Sequence, residues 1–289
     1  MLIHKIQAIF GLFCLIFAIH VRATTVLVVV GPHGIIAASD SLAVNRTVTA
    51  DSKSTAEKLF IIQNRIVVAS IGHYDMQGIT TNGPVHYNFS TWVQHLQSGL
   101  PPNVSVESVA DTIEKESAVL FSGFDGALGW GNVQRENPVN ACDDFIQYVI
   151  AGYEFGRPKV AVVHFYINWD EKKLIGPIKV IEPLEGDFGV YPFGVTQAIG
   201  LADVLNGDSY AHKQAILRCP TAFGHLLAHE DISLDETLMF TKTLIKIEED
   251  INPSEVGGAV QLVKISPNGR AEKVGVLPET QTRASQKKN

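Results

Sequence analysis

Apolar residues come in short runs along the first third of the chain, and residues that favour turns separate the runs. Gly31-Pro32-His33-Gly34 lies between two runs and suits a chain reversal, and the polar Gln63-Asn64 lies between two more. The runs are rich in Val and Ile, which favour strands. The pattern therefore predicts two hairpins, built from residues 25–30 with 35–39 and from residues 58–62 with 65–71.

The spacing of apolar residues becomes helical further along. Val106, Val109, Ile113 and Ala118 lie near one face of a helix over residues 105–120, and a shorter helix is predicted around residues 89–96. Residues 123–140 are rich in Gly and Asn, which indicates a loop. Strands are then predicted at residues 145–151, 159–166, 173–181 and 190–195, and short helices at residues 198–206 and 209–217.

The last quarter carries a helix-start signal. Ser233-Leu234-Asp235-Glu236 has the Ser-x-x-Glu form of a capping box, and apolar residues continue the helix towards Pro253. Two strands, residues 258–265 and 271–276, are predicted after it, and residues 279–289 have the composition of a disordered tail. This order of strands and helices is compatible with two sheets stacked between helical layers.

The first 23 residues have the form of a secretory signal peptide. Lys5 precedes an apolar stretch over residues 8–19, and Val21-Arg22-Ala23 provides compact residues where signal peptidase cleaves. That stretch is about 12 residues long, shorter than the roughly 20 that a membrane-spanning helix needs. We therefore expect cleavage after Ala23, an exported protein without a stable membrane span, and one mature domain over residues 24–278.

Charge and cysteine content narrow the partners and the covalent links. The chain has a formal net charge of −7, and loss of Lys5 and Arg22 with the leader makes it more acidic. An acidic surface repels phosphate backbones, so nucleic acid is not an expected partner. Cys14 lies in the leader, which leaves Cys142 and Cys219 either as one disulfide or as two free buried thiols.

The start of the mature chain resembles a known enzyme family. Residues 23–27, Ala-Thr-Thr-Val-Leu, followed by Gly-Ile-Ile-Ala-Ala-Ser-Asp-Ser at 34–41, are similar to the opening of a proteasome β subunit, an N-terminal nucleophile (Ntn) hydrolase. Residues 58–62 resemble the strand that carries the family's catalytic lysine, and residues 66–72 resemble the strand that ends in its oxyanion glycine. Gly-Gly-Ala-Val-Gln-Leu at 257–262 is similar to one of the family's last strands.

This resemblance implies an α+β fold, a four-layer αββα sandwich, and a threonine-type peptidase. Thr24 would be the nucleophile, and its free α-amine, of pKa about 7.7 to 8.0, would accept the hydroxyl proton. The resemblance implies an ion pair of Asp40 and Lys58 beside Thr24, and a backbone N–H of Gly72 directed at the oxyanion. It implies no metal or organic cofactor. The predicted cleavage site falls immediately before Thr24, so the two patterns agree.

Some alternatives stay open at this point. Lys53 rivals Lys58 because the loop before Lys58 is slightly longer than in the family. Pro253 and Val256 stand where the family has a supporting Asp and Ser. A small-amide acylase and a non-catalytic, proteasome-like binding or scaffold protein therefore remain alternatives to a peptidase. The expected partner is a peptide or small amide substrate, and a homo-oligomer is left open.

Two further patterns have ordinary interpretations. His225 and His229 have the i, i+4 spacing of a helical metal pair with Glu230 beside them, but no third ligand is evident, which favours a solvated helix face. The acidic run at residues 248–250 is interpreted as the solvated end of a helix.

Overall fold

A computed structural model describes residues 20–22, 25–46, 51–80, 83–122, 142–182, 188–194, 206–228 and 231–274. Several predicted features lie outside these residues. They are most of the signal peptide, Thr24, the loop at 123–140, the helix at 198–206 except its last residue, His229, Glu230 and the tail at 279–289.

Both predicted hairpins are present in the first third of the chain. They lie at residues 25–39, with a turn at Pro32-His33, and at residues 59–72, with a turn at Gln63-Asn64. Five further strands among the described residues, at 20–22, 42–46, 51–55, 75–80 and 83–88, were not predicted. The strands of this part are β1 (His20–Arg22), β2 (Thr25–Gly31), β3 (Gly34–Ser39), β4 (Leu42–Arg46), β5 (Asp51–Thr55), β6 (Leu59–Ile62), β7 (Ile66–Gly72), β8 (Asp75–Thr80) and β9 (Gly83–Asn88).

The described elements in the middle and at the end of the chain follow the predicted order, with shifted boundaries and one additional helix at residues 220–227, while the helix predicted at 198–206 is left untested. The capping box is confirmed: the Glu236 N–H donates to Ser233 Oγ at 3.3 Å, and the Ser233 N–H donates to the Glu236 carboxylate at 2.9 Å. The elements are α1 (Phe89–Gly99), α2 (Val106–Ser122), β10 (Cys142–Glu154), β11 (Arg157–Asn168), β12 (Lys173–Glu182), β13 (Gly189–Gly194), α3 (Tyr210–Arg218), α4 (Pro220–Leu227), α5 (Leu234–Ile251), β14 (Gln261–Ile265) and β15 (Ala271–Val274). Among these helices, none combines the length and the apolar character needed to cross a bilayer.

Two five-stranded antiparallel sheets dominate the described residues. Their strand orders are β12-β11-β10-β7-β6 and β13-β2-β3-β14-β15. Helix α2 packs against β10, β11 and β12, and α5 packs against β2 and β3. A cluster of buried apolar side chains joins the two sheets. This packing allows Asp40, which follows β3, to contact Lys58, which precedes β6. Members of this cluster include Val28, Ala37, Leu59, Val67, Val149 and Val263.

The expected four-layer αββα sandwich is wrong. The described residues form four antiparallel sheets and not two, because β1-β4-β5 and β8-β9 make a three-stranded and a two-stranded sheet of their own. Residues 20–22 were assigned to the leader, and no element was predicted at residues 42–55 or 75–88, since polar stretches such as Asp51–Thr55 have no apolar face to reveal a strand. The structure supports the α+β class and no finer one.

Candidate functional site

Asp40 lies at one end of the β2–β3 hairpin. It directly follows β3, and the register pairs Val26 of β2 with Ser39 of β3, which brings the start of β2 beside Asp40. The Thr25 N–H donates to Asp40 Oδ1 at 3.1 Å. The Asp40 side chain is only 1% exposed. The hairpin therefore places a buried carboxylate against the first residue of the first long strand.

Two more backbone amides donate to the same carboxylate. The N–H groups of Leu42 and Gly257 lie 3.1 Å and 3.3 Å from Asp40 Oδ2. In return, the Gly257 carbonyl accepts hydrogen bonds from the N–H groups of Ser41 and Leu42. Asp40 thus ties the segment after β3 to the loop before β14, and hydrogen bonds to a carboxylate favour its charged form.

Lys58 supplies the charge opposite Asp40. It immediately precedes β6, and its Nζ lies 3.1 Å from Asp40 Oδ1 and 2.6 Å from the Leu42 carbonyl oxygen. The Lys58 side chain is 2% exposed, so both charges of the pair are withdrawn from water. Such a pair is tolerable because further hydrogen bonds compensate part of the desolvation.

Burial acts on both members of the pair in opposite directions. It raises the pKa of Asp40, and the neighbouring Lys58 charge offsets part of that rise. Burial also lowers the pKa of Lys58, and the Asp40 charge offsets part of that fall. A buried ammonium of this kind can stabilise a developing alkoxide, and it releases a proton more readily than an exposed lysine does.

Gly72 ends β7 at the same end of the β6–β7 hairpin as Lys58. Its φ is +90°, and a Cβ at this position would lie 2.4 Å from the Phe145 carbonyl oxygen. Contact with β10 therefore requires glycine here, and this requirement is independent of any reaction. The role of the Gly72 N–H in binding an oxyanion stays a prediction.

The structure thus brings together part of the predicted site. Asp40 and Lys58 are in contact, and Gly72 lies at the same end of the strand pair that Lys58 precedes. The rival Lys53 lies in β5 opposite Val44, and the described contact to Asp40 belongs to Lys58. Thr24 is outside the described residues, but the N–H of Thr25 that reaches Asp40 is the amide that joins Thr25 to Thr24.

Gln261, the first residue of β14, was not among the site residues predicted from the sequence. Its Oε1 accepts hydrogen bonds from the N–H groups of Lys58 and Leu59 at 2.8 Å and 3.3 Å, and its Nε2 donates to the Ala56 carbonyl at 2.5 Å. One signal was available, because Gln261 is polar within the apolar run Ala-Val-Gln-Leu-Val at 259–263.

Two buried hydroxyls flank Asp40. Within the described part of the chain, the Oγ atoms of Ser39 and Ser41 have no hydrogen-bond partner. Gly258, with φ +78°, approaches so closely that a Cβ there would lie 2.6 Å from Ser41 Oγ. Val256, which stands where the resembled family has a serine, is completely buried. The surroundings of the ion pair therefore include polar atoms, but they differ from the pattern that the resemblance implies.

The remaining candidates lie elsewhere in the chain, and the predicted pair of His225 with His229 is untested because His229 is outside the described residues. His225 Nδ1 lies 2.8 Å from a Glu236 carboxylate oxygen, and over the described ranges no three His, Cys, Asp or Glu side chains converge to hold a metal. The interpretation of residues 248–250 as solvated is wrong for Glu248, which is buried and accepts a hydrogen bond from Asn252 Nδ2 at 2.6 Å. Cys142 is exposed and Cys219 is buried, and both are free thiols.

No protein-family model matches this chain, and no curated protein matches it. A functional assignment therefore rests on the geometry around Asp40 and Lys58 and on the sequence patterns that lead to it.

Proposed function

We propose that this protein is an exported amide-bond hydrolase in which Thr24, made N-terminal by signal-peptide cleavage, is the nucleophile. The observation that carries the proposal is the buried Asp40–Lys58 pair, whose carboxylate accepts the N–H of Thr25. Because Thr25 is covalently bonded to Thr24, this contact ties the pair to the chain one residue from the proposed nucleophile.

Each group has a defined part in the chemistry. The Thr24 α-amine takes the proton of the Thr24 hydroxyl, whose oxygen attacks the substrate carbonyl carbon. The Lys58 ammonium favours the alkoxide, and Asp40 holds that ammonium in place. The Gly72 N–H stabilises the tetrahedral oxyanion, the Thr24 α-ammonium gives its proton to the departing amine, and water then hydrolyses the acyl ester on Thr24.

A purely structural reading of the pair is less economical. A buried aspartate that only capped the N–H groups of Thr25, Leu42 and Gly257 would oblige the fold to bury a lysine as its counter-charge, and burying both charges carries a desolvation cost that a neutral arrangement avoids. The retained charge pair therefore favours a chemical role for the end of the hairpin that follows Thr24 in the sequence.

The strand before the predicted cleavage site favours a peptide as the substrate. In the uncleaved chain β1 is an edge strand that pairs antiparallel with β4, with Arg22 opposite Val44 and His20 opposite Arg46. Removal of the leader frees this edge of β4, and an extended peptide can add to such an edge through backbone hydrogen bonds. A small amide would make no use of this edge.

A non-catalytic, proteasome-like binding protein is the second candidate. It is favoured by Val256, whose buried apolar side chain offers no hydrogen bond to an N-terminal threonine. Such a protein would keep the Asp40–Lys58 pair for structure alone. A small-amide acylase would share the Thr24 chemistry and differ in the leaving group.

The test is covalent labelling of the mature protein with a peptide epoxyketone, which bonds to both the hydroxyl and the α-amine of an N-terminal threonine. We expect one adduct per chain, located at Thr24 by mass spectrometry, and no adduct on Thr24→Ala that folds with the same circular dichroism spectrum. Absence of labelling on a correctly processed chain would support the binding protein instead.

A further inference from the structure

Gln261 holds the backbone that carries Lys58 from the opposite sheet. Its side-chain amide forms hydrogen bonds with three backbone groups. The amide oxygen accepts hydrogen bonds from the N–H groups of Lys58 and Leu59, and the amide nitrogen donates one to the Ala56 carbonyl. These three bonds join β14 to the residues just before β6, more than 200 positions away in sequence.

The Lys58 side chain depends on this backbone for its direction. Lys58 lies before the first ladder pair of β6, Leu59 with Ala69, so the β6–β7 ladder does not fix it. Its Nζ must nevertheless reach both Asp40 and the Leu42 carbonyl. The Gln261 amide accepts a hydrogen bond from the Lys58 N–H at 2.8 Å and so fixes the Lys58 backbone, while Asp40 fixes the ammonium at the end of the side chain.

We propose that Gln261 is a positioning residue for the Asp40–Lys58 pair, holding the Lys58 backbone so that the ammonium stays on the carboxylate that also accepts a hydrogen bond from the Thr25 N–H. The inference deepens the proposed hydrolase function and rests on it for its effect on reaction rate. Small displacements of a reacting or charged group lower the rate of catalysis strongly, and a misplacement of about 1 Å can reduce the rate about 100-fold.

The chain offers a matched control in Gln63. Gln63 makes a similar side-chain clamp, in which Nε2 donates to the Pro101 carbonyl at 2.6 Å and Oε1 accepts the Val104 N–H at 3.3 Å. This clamp joins the β6–β7 turn to the segment before α2, at the end of the hairpin opposite to Lys58. Gln261→Met and Gln63→Met both replace an amide with an unbranched apolar side chain of similar length.

The first measurement does not depend on activity. In the mature protein, NMR follows amide hydrogen exchange and the Nζ signal of Lys58. Gln261→Met should speed exchange of the Lys58 N–H by about 10-fold or more and shift the Lys58 Nζ signal, while Gln63→Met should speed exchange of the Val104 N–H and leave Lys58 unchanged. A merely structural role for Gln261 would lower stability without moving the Lys58 signal.

The second measurement is the rate of epoxyketone labelling at Thr24. We expect a fall of about 10-fold to 100-fold in Gln261→Met and less than about 2-fold in Gln63→Met, compared at equal folded fraction. Unchanged Lys58 signals, or altered signals with wild-type labelling, would overturn the positioning role. If the wild type itself is not labelled, the hydrolase proposal fails, while the Lys58 signals still decide whether Gln261 holds that residue.

Discussion

Gln261 lies directly opposite Ser39 in the pairing of β14 with β3. The strand whose first side chain clamps the Lys58 backbone is thus the neighbour of the strand that ends immediately before Asp40. Two adjacent strands, β3 and β14, therefore position both members of the ion pair. Lys58 itself belongs to a segment that leads into the other sheet. The geometry of the pair is therefore a property of the contact between the two sheets.

This placement predicts how the ion pair contributes to stability. Lys58→Met should lower the free energy of unfolding by about 3 kcal/mol or more, because it leaves the Asp40 carboxylate buried without its counter-charge. The double variant Asp40→Asn with Lys58→Met should be less destabilised than the sum of the two single variants. Urea unfolding of the four proteins gives the coupling energy, and additive losses would show that the two charges do not interact.

The same variants separate stability from chemistry. Labelling of Thr24 should fall by about 100-fold or more in Lys58→Met and should not recover in the double variant, because stability returns without the ammonium. Lys53→Met is the control, since Lys53 lies in β5 and the contact to Asp40 belongs to Lys58. Equal loss of labelling in the two lysine variants would contradict the assignment of Lys58.

The elements that sequence reasoning predicted best are those with an apolar face. The β2–β3 hairpin, α2 and the capped helix α5 have regular apolar spacing and clear turn or cap residues, so local patterns suffice. Strands β4 and β5 contain Asn, Arg, Asp and Lys, and their pairing depends on backbone hydrogen bonds that leave no pattern in the sequence. The mixture of helices and antiparallel strands was therefore predictable, but the number of sheets, and with it the layer arrangement, was not.

The site divides in a similar way. Asp40 and Lys58 were found through a resemblance of short motifs, and their contact needs only the ends of two hairpins to meet. Gln261 could not be predicted because its hydrogen-bond partners are backbone groups, which every residue carries and which therefore leave no motif in the sequence. Glu248 was taken for a surface residue because a neighbour four positions away, Asn252, was not recognised as its hydrogen-bond donor.

Gly72 gives a prediction about strain rather than catalysis. Gly72→Ala combines a φ of +90° with a Cβ only 2.4 Å from the Phe145 carbonyl oxygen, so we expect a loss of about 2 kcal/mol or more in unfolding free energy. Gly156→Ala is the matched control, because its φ is +75° but nothing lies within 4 Å of the added Cβ, and it should lose about 1 kcal/mol. Equal losses in urea unfolding would contradict the close contact with β10.

The ion pairs of Lys159 with Glu154 and Glu107 should make part of the protein's stability depend on pH. Burial raises the pKa of Glu154, but hydrogen bonds from Lys159 and the Glu107 N–H outweigh it and leave that pKa below its ordinary value. Hydrogen bonds to Glu107 and Glu154 raise the pKa of Lys159. Glu154 thus stabilises the fold above its unfolded pKa, about 4.3, and Lys159 does so below its unfolded pKa, about 10.4.

The difference in unfolding free energy between wild type and Lys159→Met should therefore be constant from about pH 5 to 10, at about 0.5 to 1 kcal/mol. It should shrink as the pH falls through the folded pKa of Glu154 and as it rises through that of Lys159. Lys173→Met removes the more exposed pair with Glu171 and should give a smaller difference at every pH. A pH-independent difference for Lys159→Met would exclude the cluster as its source.

The N-terminal position of Thr24 is the most demanding requirement of the proposed reaction. Only a residue at the start of the chain presents a free amine to its own hydroxyl, so a variant that keeps one extra alanine before Thr24 should lose labelling nearly as completely as Thr24→Ala, because its amine has become an amide. Thr24→Ser should keep part of the rate, since the hydroxyl remains but the methyl group that restricts its rotamer is lost. Circular dichroism and urea unfolding should be nearly the same for all three variants, because a chain terminus contributes little to the core.

N-terminal sequencing of each purified protein checks that the chain starts where intended. Full activity of the extended variant would rule out the α-amine as base, and a mature chain that starts elsewhere would rule out Thr24 as nucleophile.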